Sequence, residues 1–522
     1  PIVAVGEYLA TSANDGMVHI FKQSGGDKRS YNLKLSYIPG TMPRKDIENK
    51  DSTLAKELRA FAEKGYVGDR YGVDGGFVLR RITDDQDKQK HFFMFGAMGL
   101  GGRGAYALDL TKAENGDPTA VSLFDVKHDN NGKNSNNSVQ LGYTVGTPQI
   151  GKTHDGKYAA FLASGYATKD IDNSENKTAL YVYDLESSGT LIKKIDVPGG
   201  KGGLSSPTLV DKDLDGIVDI AYAGDRGGNM YRFDLSGQDP NQWSVRTIFS
   251  GNKPITSAPA ISQLKDKRVV IFGTGSDLSE EDVDSKEIQH VYGIFDNDTD
   301  TGTAQDGQGK GLLEQKLEKD KDGKTLFLSD YKRSDGSGDK GWVVKLEAGQ
   351  RVTVKPTVVL RTAFVTIHKY TGNDKCGAET AILGINTADG GKLTKKSARP
   401  IVPADNTAVA QYSGHKKTSS GKSIPIGCME KDNGIVCPNG YVYDKPVNVR
   451  YLDEKKTDGF STTADGDAGG SGTFKEGKKP ARNNRCFSRK GVRTLLMNDL
   501  DSLDITGPMC GMKRISWREV FY

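Results

Sequence analysis

A short pattern of paired strands recurs along this chain and constrains its fold more than any other feature. Each copy has a strand of small and β-branched residues with a Gly, followed by a strand that ends in an aromatic or aliphatic residue and Asp. Apolar and polar residues alternate within each strand, which is the period of a half-buried β-strand. The copies lie at residues 9–22, 92–110, 159–185, 219–235 and 269–297, with a weaker copy at 379–391.

A second signal precedes several copies and consists of small residues, a Pro and then alternating apolar residues. Because Pro is tolerated at the first position of a strand, each signal predicts one more strand per copy. Three strands with an outer fourth form the blade of a β-propeller, and blades of about 40–50 residues predict about six to eight of them. Repeated hairpins of a β-sandwich are the alternative, but the copies exceed one sandwich. The signals lie at residues 145–150, 204–210, 255–261 and 354–359.

The sequence therefore predicts an all-β fold in one propeller domain over residues 1–522, with three insertions. Residues 296–341 and 387–485 are rich in Asp, Gly, Ser and Lys, and we expect them to be long, partly mobile surface loops. The third insertion, around residues 44–70, contains a predicted helix over residues 52–65. Apolar residues recur there at helical spacing between a Ser-Thr start signal and a Gly end signal.

Composition narrows the functional classes. The chain has 72 Lys and Arg against 68 Asp and Glu, so its net charge of +4 gives no argument for nucleic-acid binding. No apolar run approaches the ~18 residues of a membrane span, so we expect membrane association only through other parts of the protein or its partners. The chain begins at Pro1 rather than Met, and we expect it to be the C-terminal portion of a longer protein.

The five cysteines all follow residue 375 and show no CxxC spacing of a zinc site. Two of them, Cys428 and Cys437, flank the turn signal of residues 432–434. A tight turn there would place them opposite each other, which predicts a local disulfide and an oxidising compartment. Free buried thiols are the alternative.

The acidic loop of residues 211–219, DKDLDGIVD, places Asp at positions 1, 3, 5 and 9 between two predicted strands. Calcium requires six to eight oxygen ligands, and Gly216 permits the tight turn that would gather them. Ile217 can offer its backbone carbonyl while its side chain enters the core. Without a cation these carboxylates would repel one another strongly. We therefore predict one Ca²⁺ site, whose ligands are Asp211, Asp213, Asp215, the carbonyl of Ile217, and Asp219.

Two weaker interpretations accompany this site. The acidic loop could be a solvated turn without a metal. A second acidic run, Asp296–Gly302, has three spaced acids but Ala304 where a further ligand would fall, and it is a weaker candidate for a second metal site.

Taken together, these motifs resemble the C-terminal domain of the PilC/PilY family, the type IV pilus tip-associated adhesins and biogenesis factors. The resemblance covers most of the chain. It is carried by ANDGMVHIFK at residues 13–22, LSYIPGTMP at 35–43, YGVDGG at 71–76, the strand–acidic loop–strand segment at 207–235 and ISWREVFY at 515–522.

The resemblance implies a modified seven-bladed β-propeller with long loop insertions, and a calcium site at the acidic loop. It also implies a place at the bacterial cell surface, in the outer membrane or at the pilus tip. The implied role is type IV pilus biogenesis, in which calcium opposes retraction, together with host-cell adhesion. The implied partners are pilin or minor pilins and the host-cell surface.

Two rival functions belong to other classes. Quinone-dependent dehydrogenases are propellers with similar repeats, but they stack their cofactor on a tryptophan and commonly on a disulfide between adjacent cysteines. This chain has three Trp and no adjacent Cys pair, and it lacks the HExxH and GxSxG motifs. We therefore predict that it is not an enzyme and that Ca²⁺ is its only cofactor. The other rival is a calcium-stabilised ligand-binding propeller unrelated to pili.

Overall fold

The computed structural model of the chain describes most residues up to 400 and eight short stretches beyond. The first group is 1–25, 30–40, 43–45, 50–65, 71–114, 116–129, 138–166, 177–299, 302–307, 311–319, 326–332, 338–371, 377–394 and 396–400. The second group is 415–417, 423–425, 429–431, 434–436, 447–449, 470–476, 492–496 and 502–508. Within these ranges the strands form seven sheets of three to six strands and three two-stranded ladders.

Sheets 1 to 4 follow one another along the chain, and each is built on four antiparallel strands that pair in chain order. Sheet 1 contains Ile2–Val5, Tyr8–Ser12, Val18–Ser24 and Ser30–Tyr37. Sheet 2 contains Phe77–Thr83, Gln89–Ala97, Gly104–Asp109 and Ser122–Lys127. Sheet 3 contains Gln149–Lys152, Tyr158–Ala163, Ala179–Asp184 and Leu191–Asp196. Sheet 4 contains Thr208–Val210, Ile220–Gly224, Met230–Asp234 and Ser244–Ser250.

Sheets 5 to 7 depart from this regular pattern. Sheet 5 orders Ala260–Gln263, Arg268–Gly273, His290–Asp296, Gly341–Lys345, Leu312–Lys319 and Leu326–Leu328. Sheet 6 contains Thr357–Val359, Thr362–Thr371 and Gly377–Asn386. Sheet 7 orders Arg399–Pro400, Ser502–Thr506, Val492–Leu496 and Val447–Val449. The two-stranded ladders are Pro43–Lys45 with Asp51–Thr53, His415–Lys417 with Ser423–Pro425, and Met429–Lys431 with Gly434–Val436.

The predicted repeat is confirmed in its five stronger copies. The Pro-containing signals become the first strands of sheets 3 to 6, and the paired strands of the stronger copies become the second and third strands of sheets 1 to 5. In sheet 6 the weaker copy at residues 379–391 covers only the third strand, Gly377–Asn386. Apolar side chains from the faces of neighbouring sheets then form successive core clusters, for example Phe93 of sheet 2 with Tyr181 of sheet 3 and Phe161 of sheet 3 with Phe233 of sheet 4. One such cluster lies between each pair of consecutive sheets from sheet 1 to sheet 7.

The predicted helix is confirmed as Leu54–Lys64. Thr53 is the N-cap, whose side chain accepts a hydrogen bond from the amide of Lys56 at 3.3 Å, and Gly65 ends the helix with φ 86°. A second helix, Glu280–Asp284, has a capping box at Ser279 and is too short to show a helical period. Short 3₁₀ helices lie at Gly99–Gly101, Leu110–Glu114, Pro118–Val121 and Pro240–Gln242. No helix among the described residues is both long and apolar enough to cross a membrane.

The expectation that residues 296–341 and 387–485 are surface loops is wrong in part. Ala304–Gln305 pairs with the outer strand of sheet 4, and Leu312–Lys319 and Leu326–Leu328 extend sheet 5. Gly472–Lys475 joins sheet 2 as a fifth strand, parallel to Phe77–Thr83. These strands do not show the expected apolar alternation because their segments are polar. In Leu312–Lys319, for example, the fully buried residue at position 315 is a Gln.

Candidate metal centre

The acidic loop connects the first two strands of sheet 4. The ladder between these strands ends at Val210 and Ile220, so the chain reverses over residues 211–219. The Asp219 amide donates to the Val210 carbonyl at 2.9 Å and closes the base of the loop. The Val218 amide donates to the carbonyl of Lys152 in sheet 3 at 2.8 Å. Two neighbouring sheets therefore fix the C-terminal side of the loop.

Three of the predicted ligands converge. Asp211, Asp213 and Asp215 each have a carboxylate oxygen within 4.8 Å of the others. Asp211 is buried, at 1% exposure, whereas Asp213 and Asp215 face solvent. The Gly216 amide donates to Asp211 Oδ2 at 2.7 Å, and the Ile217 amide donates to Asp215 Oδ1 at 2.8 Å. Amides of the loop itself therefore orient the carboxylates.

The curl of the loop depends on two residues with positive φ. Leu214 has φ 61°, and Gly216 has φ 92°, a conformation that Gly adopts without penalty. A side chain at Gly216 would also meet the ring of Phe474, because a Cβ there would lie 3.0 Å from two ring carbons. The predicted place of Ile217 in the core is wrong: Ile217 is half-buried, and the adjacent Val218 is the core residue, at 1% exposure.

The fourth acid, Asp219, is held by a residue that sequence reasoning missed. Its Oδ1 lies 2.8 Å from His154 Nε2, and its Oδ2 accepts from the Lys212 amide at 2.8 Å. His154 lies in the turn between the first two strands of sheet 3, which corresponds to the acidic loop of sheet 4. The sequence THDGK marks that turn, but no local pattern shows that two such turns become neighbours.

The electrostatics of the loop favour a cation. Burial raises the pKa of Asp211 to about 7, and the charges of Asp215 and Asp219 act in the same direction. Burial also raises the pKa of Asp219, although hydrogen bonds from the Lys212 amide and His154 oppose this. The lysine of the loop directs its ammonium to Asp298 at 3.6 Å, away from the cluster. Clustered carboxylate oxygens fit a hard cation such as Ca²⁺. The buried carboxylates are costly to ionise when no cation is bound.

In the second acidic run, Asp296–Gly302, the described carboxylates pair with arginine side chains. Asp296 lies 2.7 Å from Arg232 and 2.9 Å from Arg246, measured from carboxylate oxygen to guanidinium nitrogen. Asp298 lies 2.8 Å from Arg232 in the same way. Since both described acids are neutralised by side chains, this run does not form a second calcium site among the described residues.

Comparison with known proteins decides the family. The model of the PilY1 beta-propeller domain matches residues 4–332, which is more than half of the chain. The chain belongs to the PilY1 β-propeller family. The all-β propeller prediction and the resemblance to PilC/PilY proteins are thereby confirmed.

The PilY1 relatives are longer than this chain. Type IV pilus biogenesis factor PilY1 of Pseudomonas aeruginosa (strain PAO1) is 31% identical over 323 residues, which cover 55% of this chain and 24% of that protein. A PilY1 homolog of Xylella fastidiosa (strain Temecula1) is 28% identical over 319 residues, which cover 56% of this chain and 19% of that protein. The chain thus spans about a quarter or less of the curated relatives it matches.

A solved structure agrees with this family fold. The crystal structure of the P. aeruginosa PilY1 C-terminal domain aligns with a TM-score of 0.55 at 22% identity, over 82% of this chain and 91% of that domain.

The two described tryptophans of this PilY1 family member are structural. Trp342 is fully buried, and its indole N–H donates to the Thr387 carbonyl at 2.8 Å. Gly293 and Gly390 pack closely against its ring, and a Cβ at Gly293 would lie 2.1 Å from the ring. Trp243 is also buried, and its N–H donates to the Gly237 carbonyl at 2.8 Å. Neither ring offers a face on which a quinone could stack, and the PilY1 relatives are named as biogenesis factors.

All five cysteines lie outside the described residues, as does the third tryptophan. The Cys428–Cys437 disulfide therefore stays a prediction.

Proposed function

We propose that this chain is a calcium-binding, modified seven-bladed propeller domain that acts in type IV pilus biogenesis and not in catalysis. The matched P. aeruginosa protein is named a type IV pilus biogenesis factor, which supports the pilus role. Seven sheets of three or more strands within the described ranges support seven blades. The observation that carries calcium binding is the convergence of oxygens from Asp211, Asp213 and Asp215 within 4.8 Å. The Ile217 carbonyl and Asp219 complete the proposed ligand set.

Calcium would act by ordering the acidic loop. Unit charges about 4 Å apart repel by about 4 kcal/mol at an effective dielectric of 20, so the empty loop gains from opening or from taking up protons. A bound cation reverses this balance and fixes the adjoining surface of sheets 3 and 4. A partner that recognises the ordered surface then binds only the calcium-loaded fraction of molecules.

The proposed partner is a pilin or minor pilin at the tip of the growing fibre. In this scheme the calcium-loaded domain favours extension over retraction, and it supports host-cell adhesion by keeping pili on the surface. The proposed location is the bacterial cell surface, at the outer membrane or the pilus tip. Attachment to the membrane would come through the pilus or through other parts of the full-length protein.

The test is a substitution of Asp213 to Ala in the full-length protein, in its own cell. Asp213 is exposed, so its loss should leave the fold intact. Asp266→Ala is the matched control, because Asp266 is an exposed acid in the corresponding turn of sheet 5. We expect Asp213→Ala to abolish surface pili, and deletion of the retraction motor to restore them. Normal piliation and twitching in Asp213→Ala cells with an intact motor would contradict the proposal.

A second candidate role is that of a constitutive structural ion. The hydrogen bonds from Val218 to Lys152 and between His154 and Asp219 join sheets 3 and 4 at the loop, so the ion could simply stabilise this junction. In that case Asp213→Ala would lower the abundance of the protein, and deletion of the retraction motor would not restore pili.

A further inference from the structure

Residues 471–476, here called the latch segment, dock on sheet 2 from a distant part of the chain. Gly472–Lys475 pairs in parallel with residues 80–83 of the first strand of that sheet. The Leu79 amide donates to Ser471 Oγ at 3.0 Å, and the Glu476 amide donates to the Thr83 carbonyl at 2.9 Å. Hydrogen bonds at both ends, one of them to the Ser471 side chain, therefore define the register of the added strand.

The side chains of the latch segment hold it between sheets 2 and 3. Phe474 is 5% exposed and lies in the core cluster shared by these sheets. Its ring meets that of Tyr158 edge-on at a centroid distance of 5.9 Å, and the Arg80 guanidinium lies 5.7 Å from its centroid. Glu476 accepts from the Tyr158 hydroxyl at 3.0 Å. On the opposite face of the strand, Lys475, whose side chain is 10% exposed, lies 2.7 Å from Asp87.

The same phenylalanine contacts the acidic loop. A Cβ built on Gly216 would lie only 3.0 Å from the ring of Phe474. The Gly216 amide is the donor at 2.7 Å to Asp211, the most buried of the three clustered carboxylates. Gly216 thus contacts the latch segment through its Cα side and orients a proposed calcium ligand through its amide.

A second connection runs through sheet 3. The Val218 amide of the acidic loop donates to the Lys152 carbonyl at 2.8 Å, and the Lys152 ammonium lies 5.5 Å from the centroid of Tyr158. Tyr158 in turn contacts both Phe474 and Glu476. The latch segment is therefore linked to the C-terminal half of the acidic loop in two ways, directly at Gly216 and through Tyr158 and Lys152 at Val218.

We propose that the latch segment and the calcium site are thermodynamically coupled, so that calcium binding holds the latch on sheet 2 and the docked latch tightens calcium binding. This inference rests on the proposed calcium site and adds the element that responds to it. An ion that fixes Gly216 presents a fixed surface to Phe474, whereas a loose loop removes part of the wall against which the ring packs. Coupling of two binding events is reciprocal, so each must strengthen the other by the same factor.

The experiment uses the whole chain and Ca²⁺ itself. Hydrogen exchange of the amides of residues 472–476 is compared in excess Ca²⁺ and in chelator, and calcium affinity is measured by calorimetry for the wild type, Phe474→Ala, Phe474→Leu and Lys475→Ala. We expect calcium to slow exchange in the latch about tenfold and Phe474→Ala to weaken calcium binding by a similar factor. Phe474→Leu, which keeps an apolar side chain, should show a smaller loss.

Lys475→Ala is the matched control, because side chains alternate along a strand and Lys475 therefore points away from Phe474 and the acidic loop, so calcium affinity should change less than about twofold. If the wild type binds calcium while latch exchange is the same with and without it, and Phe474→Ala and Phe474→Leu retain wild-type affinity, the coupling is refuted and the calcium site stands. If the wild type binds no calcium, the proposed function itself fails.

Discussion

Asp296 joins sheets 4 and 5 through a buried ion network, and its replacement by Ala should be among the most destabilising single changes in the chain. It is 3% exposed, lies within 2.9 Å of Arg232 and Arg246, and accepts a hydrogen bond from the buried hydroxyl of Tyr222. Its loss leaves the buried Arg232 with one carboxylate partner, Asp298, and a 3.5 Å hydrogen bond to the Asn297 carbonyl. It also leaves the Tyr222 hydroxyl without this acceptor. Removal of one member of a buried pair costs about 3–5 kcal/mol, so we expect Asp296→Ala to lose that much unfolding free energy.

The measurement is urea unfolding in EDTA, monitored by tryptophan fluorescence, because Trp342 lies buried in sheet 5 and Trp243 lies buried immediately before the outer strand of sheet 4. Asp298→Ala is the matched control. The side chain of Asp298 is 43% exposed and its partner keeps Asp296, so its loss should cost less than about 1 kcal/mol. The reasoning is refuted if Asp296→Ala costs under about 1 kcal/mol, or if the two variants are equally destabilised.

Three further predictions concern the metal, the cysteines and the absence of catalysis. Because the pKa of Asp211 is raised to about 7 in the metal-free fold, the fold keeps a proton between about pH 4 and 7 that the unfolded chain has lost. The contribution of Asp211 to metal-free stability should therefore fall as the pH rises through this window, and the increase in melting temperature caused by calcium should grow from pH 5 to pH 8; a constant increase would contradict this. Cys428 and Cys437 should be bridged, which stabilises by about 2–3 kcal/mol in the chain-entropy model, and non-reducing peptide mapping should find neither thiol free. Reconstitution with pyrroloquinoline quinone should give no dye-linked alcohol oxidation, and turnover would overturn the non-enzymatic assignment.

The regular part of the fold could be predicted because its signals are local. Strand alternation, the Pro-containing first strands and the caps at Thr53 and Gly65 depend on neighbouring residues, and the structure confirms them. The acidic loop was also predictable, since Asp211, Asp213 and Asp215 converge through the curl of their own segment.

What the sequence did not reveal depends on contacts between distant segments. His154 reaches Asp219 only because two turns of adjacent sheets become neighbours, and sequence spacing carries no record of that. Gly472–Lys475 is a short strand in a polar region, and it pairs only because sheet 2 offers an open edge. The pairing of Asp296 with arginine was hidden for the same reason, since an acidic run does not show which cations the fold brings to it.

Calorimetric titration of the EDTA-treated chain with Ca²⁺ tests the central claim most directly. We predict one site with a Kd of about 10⁻⁶–10⁻⁵ M, because clustered carboxylates should bind more tightly than typical extracellular sites. Asp213→Ala should abolish the binding heat, while Asp266→Ala, in the corresponding turn of sheet 5, should retain it. The absence of binding heat in the wild type, or unchanged binding by Asp213→Ala, would contradict a calcium site at the acidic loop.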